Sequence, residues 1–439
     1  MYIIPSSTTR VILVRHGRST FNQQGRYQGS SNSSVLTAKG LETARLVGTY
    51  LNRRFYQNNT EPPIDLIYTS PLRRVQQTAK TISDEISSSV RPPVVVNHDL
   101  KEISLSLWEG LSYDHVKQAY SEAYRTWQHQ PEMFELPISL DNKRDSLVES
   151  SLVKSAGTAI LLQSGYANAT QTYFPVRELY QAAQQFWCTV LPQYPGRTLL
   201  VVSHSGTIHA LISTALGLSP QHHHSLQQSN CGISELTFRP NSVTCLADQK
   251  EQPLSLNYNV QLHQLNQTSA LGEMLPKIKT NKKGLRLLLL PSDSHSSSPN
   301  SSLTVEDCER LAERIQSLPL DFCIAANMTS AKLAMLMQHR PHTMYLEAQT
   351  ADFLKSWQQQ LVTSPRPAEP LMTALVIAPA ASIQETLLQT LGAYSPSSSS
   401  ASLSKDCIQL RPHHLSIIHY PYQYRPVVQA INTFAENAV

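Results

Sequence analysis

The chain has 439 residues, with 36 Lys plus Arg against 32 Asp plus Glu and a formal net charge of +4. So small a charge over that length excludes the basic footprint of a nucleic-acid-binding protein, and 15 glycines exclude collagen-like and glycine-linker sequences. Hydrophobic residues make up 41 % and charged residues 15 %, enough apolar material for two or three domains under a surface of Ser, Gln, Thr and Asn.

No apolar run approaches the ~20 residues that cross a bilayer. The first residues, Met-Tyr-Ile-Ile-Pro-Ser-Ser, lack a charged segment followed by an apolar one, so a cytoplasmic protein with no membrane partner is expected. The six cysteines are scattered without a C-x-x-C pair, which fits free thiols in a reducing compartment.

Val11–Val14 is a continuous apolar, β-branched run, the pattern of a strand buried on both faces, and it ends in Arg15-His16-Gly17. A helix with Thr37 as N-cap follows to about Val47. Asp65–Ser70 reads as a second strand, and the residues from Leu72 read as a helix with Pro71 in its first turn. Val94–Val96 and Thr198–Val202 are further strands. The latter runs into Ser203-His204-Ser205-Gly206, a helix over Ile208–Leu216 and a C-capping Gly217. Strands alternating with helices predict an α/β fold with largely parallel sheets. Residues 138–171 read as a surface insertion and 251–283 as an interdomain linker.

The second half repeats the first in weaker form. Arg10–Gly17 lies on Arg286–Asp293, Thr198–Gly206 on Thr373–Ala381, Leu66–Ser70 on Phe322–Ala326, and Leu236–Pro240 on Ile408–Pro412. Two tandem three-layer α/β/α domains follow as the expectation, over residues 1–250 and 284–439. The second has Pro291-Ser292-Asp293 in place of Arg15-His16-Gly17, Pro379 in place of His204 and Ser330 opposite Arg74. It is expected to do no phosphoryl chemistry and to be dispensable to the first.

His16 and His204 stand beyond the carboxyl ends of two predicted strands, where open parallel sheets gather ligands. Arg15 and Arg74 offer guanidinium forks suited to phosphate oxygens, and Gly17 would let a ligand approach the backbone. Arg15–Asn22, Ser70–Ala79 and Leu100–Gly110 resemble the R-H-G-x-[ST]-x-x-N, S-P-L-x-R-A-x-Q-T-A and L-x-E-x-x-x-G-x-W-E-G motifs of the histidine phosphatase (phosphoglycerate mutase-like) superfamily. Val75 and Ser106 stand where Ala and Gly are usual, and Ser205 follows His204 where Gly is common.

Carried over position by position, the resemblance implies His16 as nucleophile, with Arg15, Arg74 and His204 as ligands of the phosphoryl oxygens. Glu102 would be proton donor and then base, and Asn22, Gln28, Gly29 and Ser205 would line the pocket. It implies neither cofactor nor metal, and a small phosphorylated metabolite as the partner. Gly29–Thr37, Tyr173–Tyr180 and Leu226–Gly232 further resemble plant phosphatases acting on 2-carboxyarabinitol 1-phosphate, which carry a second phosphatase-like half. With no transit peptide before Arg10, a bacterial, cyanobacterial-type relative is expected.

A phosphoglycerate mutase is the alternative, although only Lys117 follows the proton donor as an extra basic group. A non-catalytic binding protein is a third class. His222-His223-His224 reads as a polar loop, because three adjacent histidines converge poorly on one ion.

Overall fold

The computed structural model describes residues 8–57, 61–86, 91–137, 172–241, 258–278, 283–292, 304–326, 330–339, 343–348, 371–392, 407–422 and 424–433. The expected insertion at 138–171, Asp293 and the serine run 395–402 lie outside these.

The first sheet comprises β1 (Thr9–Arg15), β2 (Leu66–Thr69), β3 (Val94–Val96), β6 (Thr198–Ser203), β7 (Ile233–Pro240) and β8 (Tyr258–Gln267), in the order β3-β2-β6-β1-β7-β8. The strands from β3 to β1 are parallel, and β7 and β8 are antiparallel to their neighbours. A two-stranded ribbon, β4 (Leu136–Pro137) with β5 (Thr172–Tyr173), stands apart.

The first-half helices are α1 (Thr20–Gln24), α2 (Ala38–Asn52), α3 (Arg73–Glu85), α4 (Tyr113–Ala119), α5 (Ser121–His129), α6 (Pro175–Val190) and α7 (Ser205–Ala215). The apolar run of β1 fills both faces of the sheet. Ile12 and Val14 pack with Ala44, Val47, Val75 and Ile82 of α2 and α3. Val11 and Leu13 pack with Val176, Phe186, Ile208 and Leu211 of α6 and α7. Thr37 caps α2 by accepting from Gly40 N at 3.1 Å. Pro71 precedes Leu72, the N-cap of α3, so it lies outside the helix rather than in its first turn.

The second sheet comprises β9 (Gly284–Pro291), β10 (Phe322–Ala326), β11 (Met344–Ala348), β12 (Met372–Ala378), β13 (Ser416–Pro421) and β14 (Val427–Ala430), in the order β11-β10-β12-β9-β13-β14. Its helices are α8 (Val305–Ile315), α9 (Ser330–Leu336) and α10 (Ala380–Thr390). The topology is that of the first sheet, and so is the register. Arg10 pairs with Thr198 and Arg286 with Thr373; Leu66 pairs with Leu199 and Phe322 with Ala374. Even the clasp below is repeated, with Asp65 and Asp321 accepting from Thr198 N at 2.8 Å and Thr373 N at 2.6 Å.

Two expectations change. Ser234 faces Leu13 as Ser416 faces Leu289, so β13 is the counterpart of β7, and the match of Leu236–Pro240 to Ile408–Pro412 is wrong. The stretch 251–283 is no mere linker either, because β8 within it completes the first sheet. Its apolar positions, Val260, Leu262 and Leu265, are buried in a cluster that also holds Val428 and Ile431 of the second half.

The two sheets meet through β8 and β14 about a local twofold. Leu265 and Ile431 exchange backbone hydrogen bonds at 3.1 and 3.2 Å. Leu226 bridges Val428 as Leu262 bridges Ile408. Asn266 Nδ2 donates to Gln429 O and Asn432 Nδ2 to His263 O, both at 2.7 Å. Each asparagine sits in the left-handed region, at φ 50° and 54°. This is the self-complementary interface of a symmetric dimer, made within one chain.

Candidate active site

β2, β6 and β1 are adjacent parallel strands, so their carboxyl ends deliver the loops bearing Ser70, His204 and His16 to one place. His16 is 1 % exposed, and its ring centroid lies 5.3 Å from that of His204. His16 N donates to Ser203 O at 2.9 Å, which ties the two strand ends together. His16 Nδ1 lies 2.8 Å from Gly17 O. A carbonyl only accepts, so Nδ1 holds the ring proton and Nε2 keeps its lone pair. His204 Nε2 lies 2.9 Å from Ser70 Oγ.

Arg74, on the first turn of α3, is fully buried. It donates through Nη1 to Ser31 O at 2.7 Å and through Nη2 to Gly29 O at 2.8 Å. The turn that receives it is held by Glu109, whose Oε1 accepts from Ser30 N at 2.7 Å. Gly29 is at φ 50°, and a Cβ there would meet Glu109 Oε1 at 2.1 Å, so only glycine fits. Arg15 donates through Nη1 to Gln228 O at 2.7 Å. Arg15 Nε, Arg74 Nε and His204 Nδ1 are buried without a hydrogen-bond partner, and the two guanidinium groups lie close enough to His204 to act on it electrostatically; unpartnered buried groups of this kind suit a bound oxyanion.

Glu102 sits at the N-terminus of α7. Its carboxylate accepts from Gly206 N at 3.3 Å, Thr207 N at 3.2 Å and Ile103 N at 3.0 Å. Gly206 makes this possible, since a Cβ there would stand 2.6 Å from Glu102 Oε1.

Burial, and then the charges of Arg74 and Arg15, hold the His16 imidazole well below its usual range. Burial, Arg74, His16 and Arg15 do the same to His204. Burial raises the Glu102 carboxyl, against the pull of its backbone donors and of Arg74. Desolvation lowers Arg74 to about 10. The set is a neutral imidazole with a free Nε2, two guanidinium groups and a carboxyl biased toward its acid form. Such a set can take up a phosphoryl group and protonate its leaving oxygen.

The family model for the histidine phosphatase superfamily (branch 1) matches residues 11–164 and 163–249. The chain belongs to this superfamily. Among its relatives, a probable 2-carboxy-D-arabinitol-1-phosphatase of Arabidopsis thaliana is 33 % identical over 234 residues, 53 % of this chain and 39 % of that one. The 2-carboxy-D-arabinitol-1-phosphatase of Triticum aestivum is 33 % identical over 297 residues, 67 % of this chain and 48 % of that one. A putative phosphoserine phosphatase 2 of Hydrogenobacter thermophilus is 27 % identical over 227 residues, 52 % of this chain and 88 % of that one. The chain thus spans less than half the length of the two plant relatives.

The other residues named from the sequence fall around this centre with differing partners. Asn22 Oδ1 accepts from Asn230 Nδ2 at 3.1 Å. Gln28 Oε1 accepts from Ser19 Oγ at 2.7 Å, which buttresses the cap of α1. Gly29 offers its carbonyl to Arg74, and Ser205 opens α7. Gly17 makes room for something other than a ligand: a Cβ on it would meet Gly40 O of α2 at 2.4 Å.

Sequence reasoning passed over Ser70 as a partner of His204, Glu109 as the support of the Arg74 turn, and Tyr113, whose phenol stands near Asn22 and Arg15. Glu109 and Ser70 lay inside the quoted motifs, and only their partners were illegible. The three adjacent histidines are no simple polar loop. His223 is buried against Trp127, Tyr180 and His209, and His224 Nε2 donates to Trp127 O at 2.8 Å. Among the described residues no group of three His, Cys, Asp or Glu could hold a metal ion, and no helix is long and apolar enough to cross a membrane.

Proposed function

We propose that the chain is a phosphomonoesterase that hydrolyses a small phosphorylated metabolite through a phosphohistidine at His16. The observation that carries this is the Nδ1–H bond from His16 to Gly17 O, which leaves Nε2 unprotonated amid buried cations. Nε2 attacks phosphorus and forms an N–P bond as the P–O bond to the leaving alcohol breaks. Glu102 gives its proton to that oxygen. Arg15, Arg74 and His204 hold the equatorial oxygens, where most of the transition-state charge lies. Glu102, now ionised, takes a proton from water as the water attacks phosphorus. Inorganic phosphate leaves, and Nε2 and the carboxyl return to their starting states.

For the substrate we propose a sugar phosphate of the 2-carboxyarabinitol 1-phosphate type, on the support of the two plant relatives. The second half takes no part in the bond changes, since Pro291, Ser292 and Pro379 occupy the positions of Arg15, His16 and His204. A panel of sugar phosphates, phosphoserine and 3-phosphoglycerate tests the reading. Release of inorganic phosphate, fastest from the carboxylated sugar phosphate, is expected. Conversion of 3-phosphoglycerate to 2-phosphoglycerate without net phosphate release would make the chain a mutase.

A further inference from the structure

The phosphate site is braced by a loop that the second half holds. Between Leu226 and β7 the chain has no regular structure, and Cys231 takes φ 57°. This loop grips both central residues. Gln228 O receives Arg15 Nη1 at 2.7 Å, Cys231 N donates to Arg15 O at 3.0 Å, and Asn230 Nδ2 donates to His16 O at 2.9 Å.

The loop is in turn fixed through buried amides. Ser229 N donates to Asn266 Oδ1 at 2.7 Å, and the same carboxamide donates through Nδ2 to Gln429 O of β14, also at 2.7 Å. Gln429 Nε2 donates to Gln227 Oε1 at 2.9 Å, and Gln227 N to Val428 O at 3.0 Å. Asn266 and Gln429 are fully buried, and Gln227 and Gln228 nearly so. Gln429 Oε1 has no partner, but the bonds that the chain does make are buried, and breaking one strands a polar group away from water, so they resist displacement of whatever they hold.

We infer that Gln429 is a positioning residue for Arg15. The second half, having no counterparts of Arg15, His16 and His204, sets the Gln227–Asn230 loop and through it the guanidinium that grips phosphate. This rests on the phosphatase reading above and adds to it a role for the second half. Displacing a positioned phosphate ligand by a fraction of an ångström costs roughly tenfold or more.

The test uses the full chain. Gln429→Leu removes the side-chain bond to Gln227 and keeps the strand's backbone bonds. Gln384→Leu is the control, a buried carboxamide of the second half that donates to Ile408 O at 2.7 Å, far along the chain from the loop. Binding of inorganic phosphate is measured by calorimetry beside hydrolysis of an aryl phosphate. Gln429→Leu is expected to raise the phosphate Kd roughly tenfold, while Gln384→Leu leaves it as in the wild type.

Because the effect runs through Arg15, Gln429→Leu should add nothing in an Arg15→Lys background. Should Gln429→Leu not fold, Gln227→Met breaks the same bond from the other side, with the same expectations. An unchanged Kd, or an equal further loss in the Arg15→Lys background, overturns the inference alone. A wild type that neither binds phosphate nor hydrolyses the ester overturns the phosphatase reading and this inference with it.

Discussion

His16 and Glu102 must be in opposite protonation states for the first chemical step, and their surroundings push them that way. The His16 value is depressed, so its nucleophilic form is lost only as pH falls through that lowered value, below 6.5. The Glu102 value is raised, so its acid form persists above 4.5 and is lost as pH rises through the raised value. The profile of kcat/KM is therefore a bell, with His16 setting its acid limb and Glu102 its alkaline limb. Glu102→Gln should remove the alkaline limb and cost roughly 10²–10⁴ in rate on an alkyl phosphate, and much less on an aryl phosphate whose leaving group needs no proton. Equal losses on both esters would contradict the acid role. These two residues were legible in the sequence because a strand-end histidine and a motif carboxylate have recognisable neighbours. Glu109 and Ser70 were not read as supports, because what each one touches depends on how distant segments fold together.

At the scale of elements, α7 has two tasks. Its inner face fills the core with Ile208, Leu211 and Ile212, and its first turn presents the N–H groups that hold Glu102. Gly206→Ala should leave the helix and the melting midpoint nearly unchanged, since alanine favours helix. It should lower kcat/KM by about 10²-fold, because the added Cβ displaces the carboxylate. Wild-type turnover in this variant, with the Glu102 carboxylate still on the backbone N–H of residue 206, would contradict this. Most strands of the first sheet, and β9, β10 and β12 of the second, could be read from their apolar runs; β11, β13 and β14 were not, and neither was β8. Its polar residues, Gln264, Asn266 and Gln267, are buried, and Gln264 and Asn266 bond partners in the second half. A strand whose amides are satisfied across an interface looks, in sequence, like a loop.

For the whole molecule, the twofold joint between β8 and β14 changes what truncation should do. The sequence alone led to the expectation that residues 1–250 would stand by themselves. That fragment ends before β8, so it leaves β7 as a bare edge and uncovers the side of the core shared with Leu287, Ile383 and Ile418. Such an edge invites aggregation. Residues 1–250 expressed alone should be insoluble or aggregated by sedimentation, and a soluble, fully active monomer would contradict this.

The central claim, a phosphoryl group carried on His16, is tested most directly by acid-free rapid quench of the full chain turning over an aryl phosphate, followed by intact-mass and peptide mapping. A single acid-labile phosphoryl group on His16, absent from His16→Ala, is the predicted result. Turnover with no phosphorylated protein at any quench time, together with near-wild-type activity in His16→Ala, would contradict it.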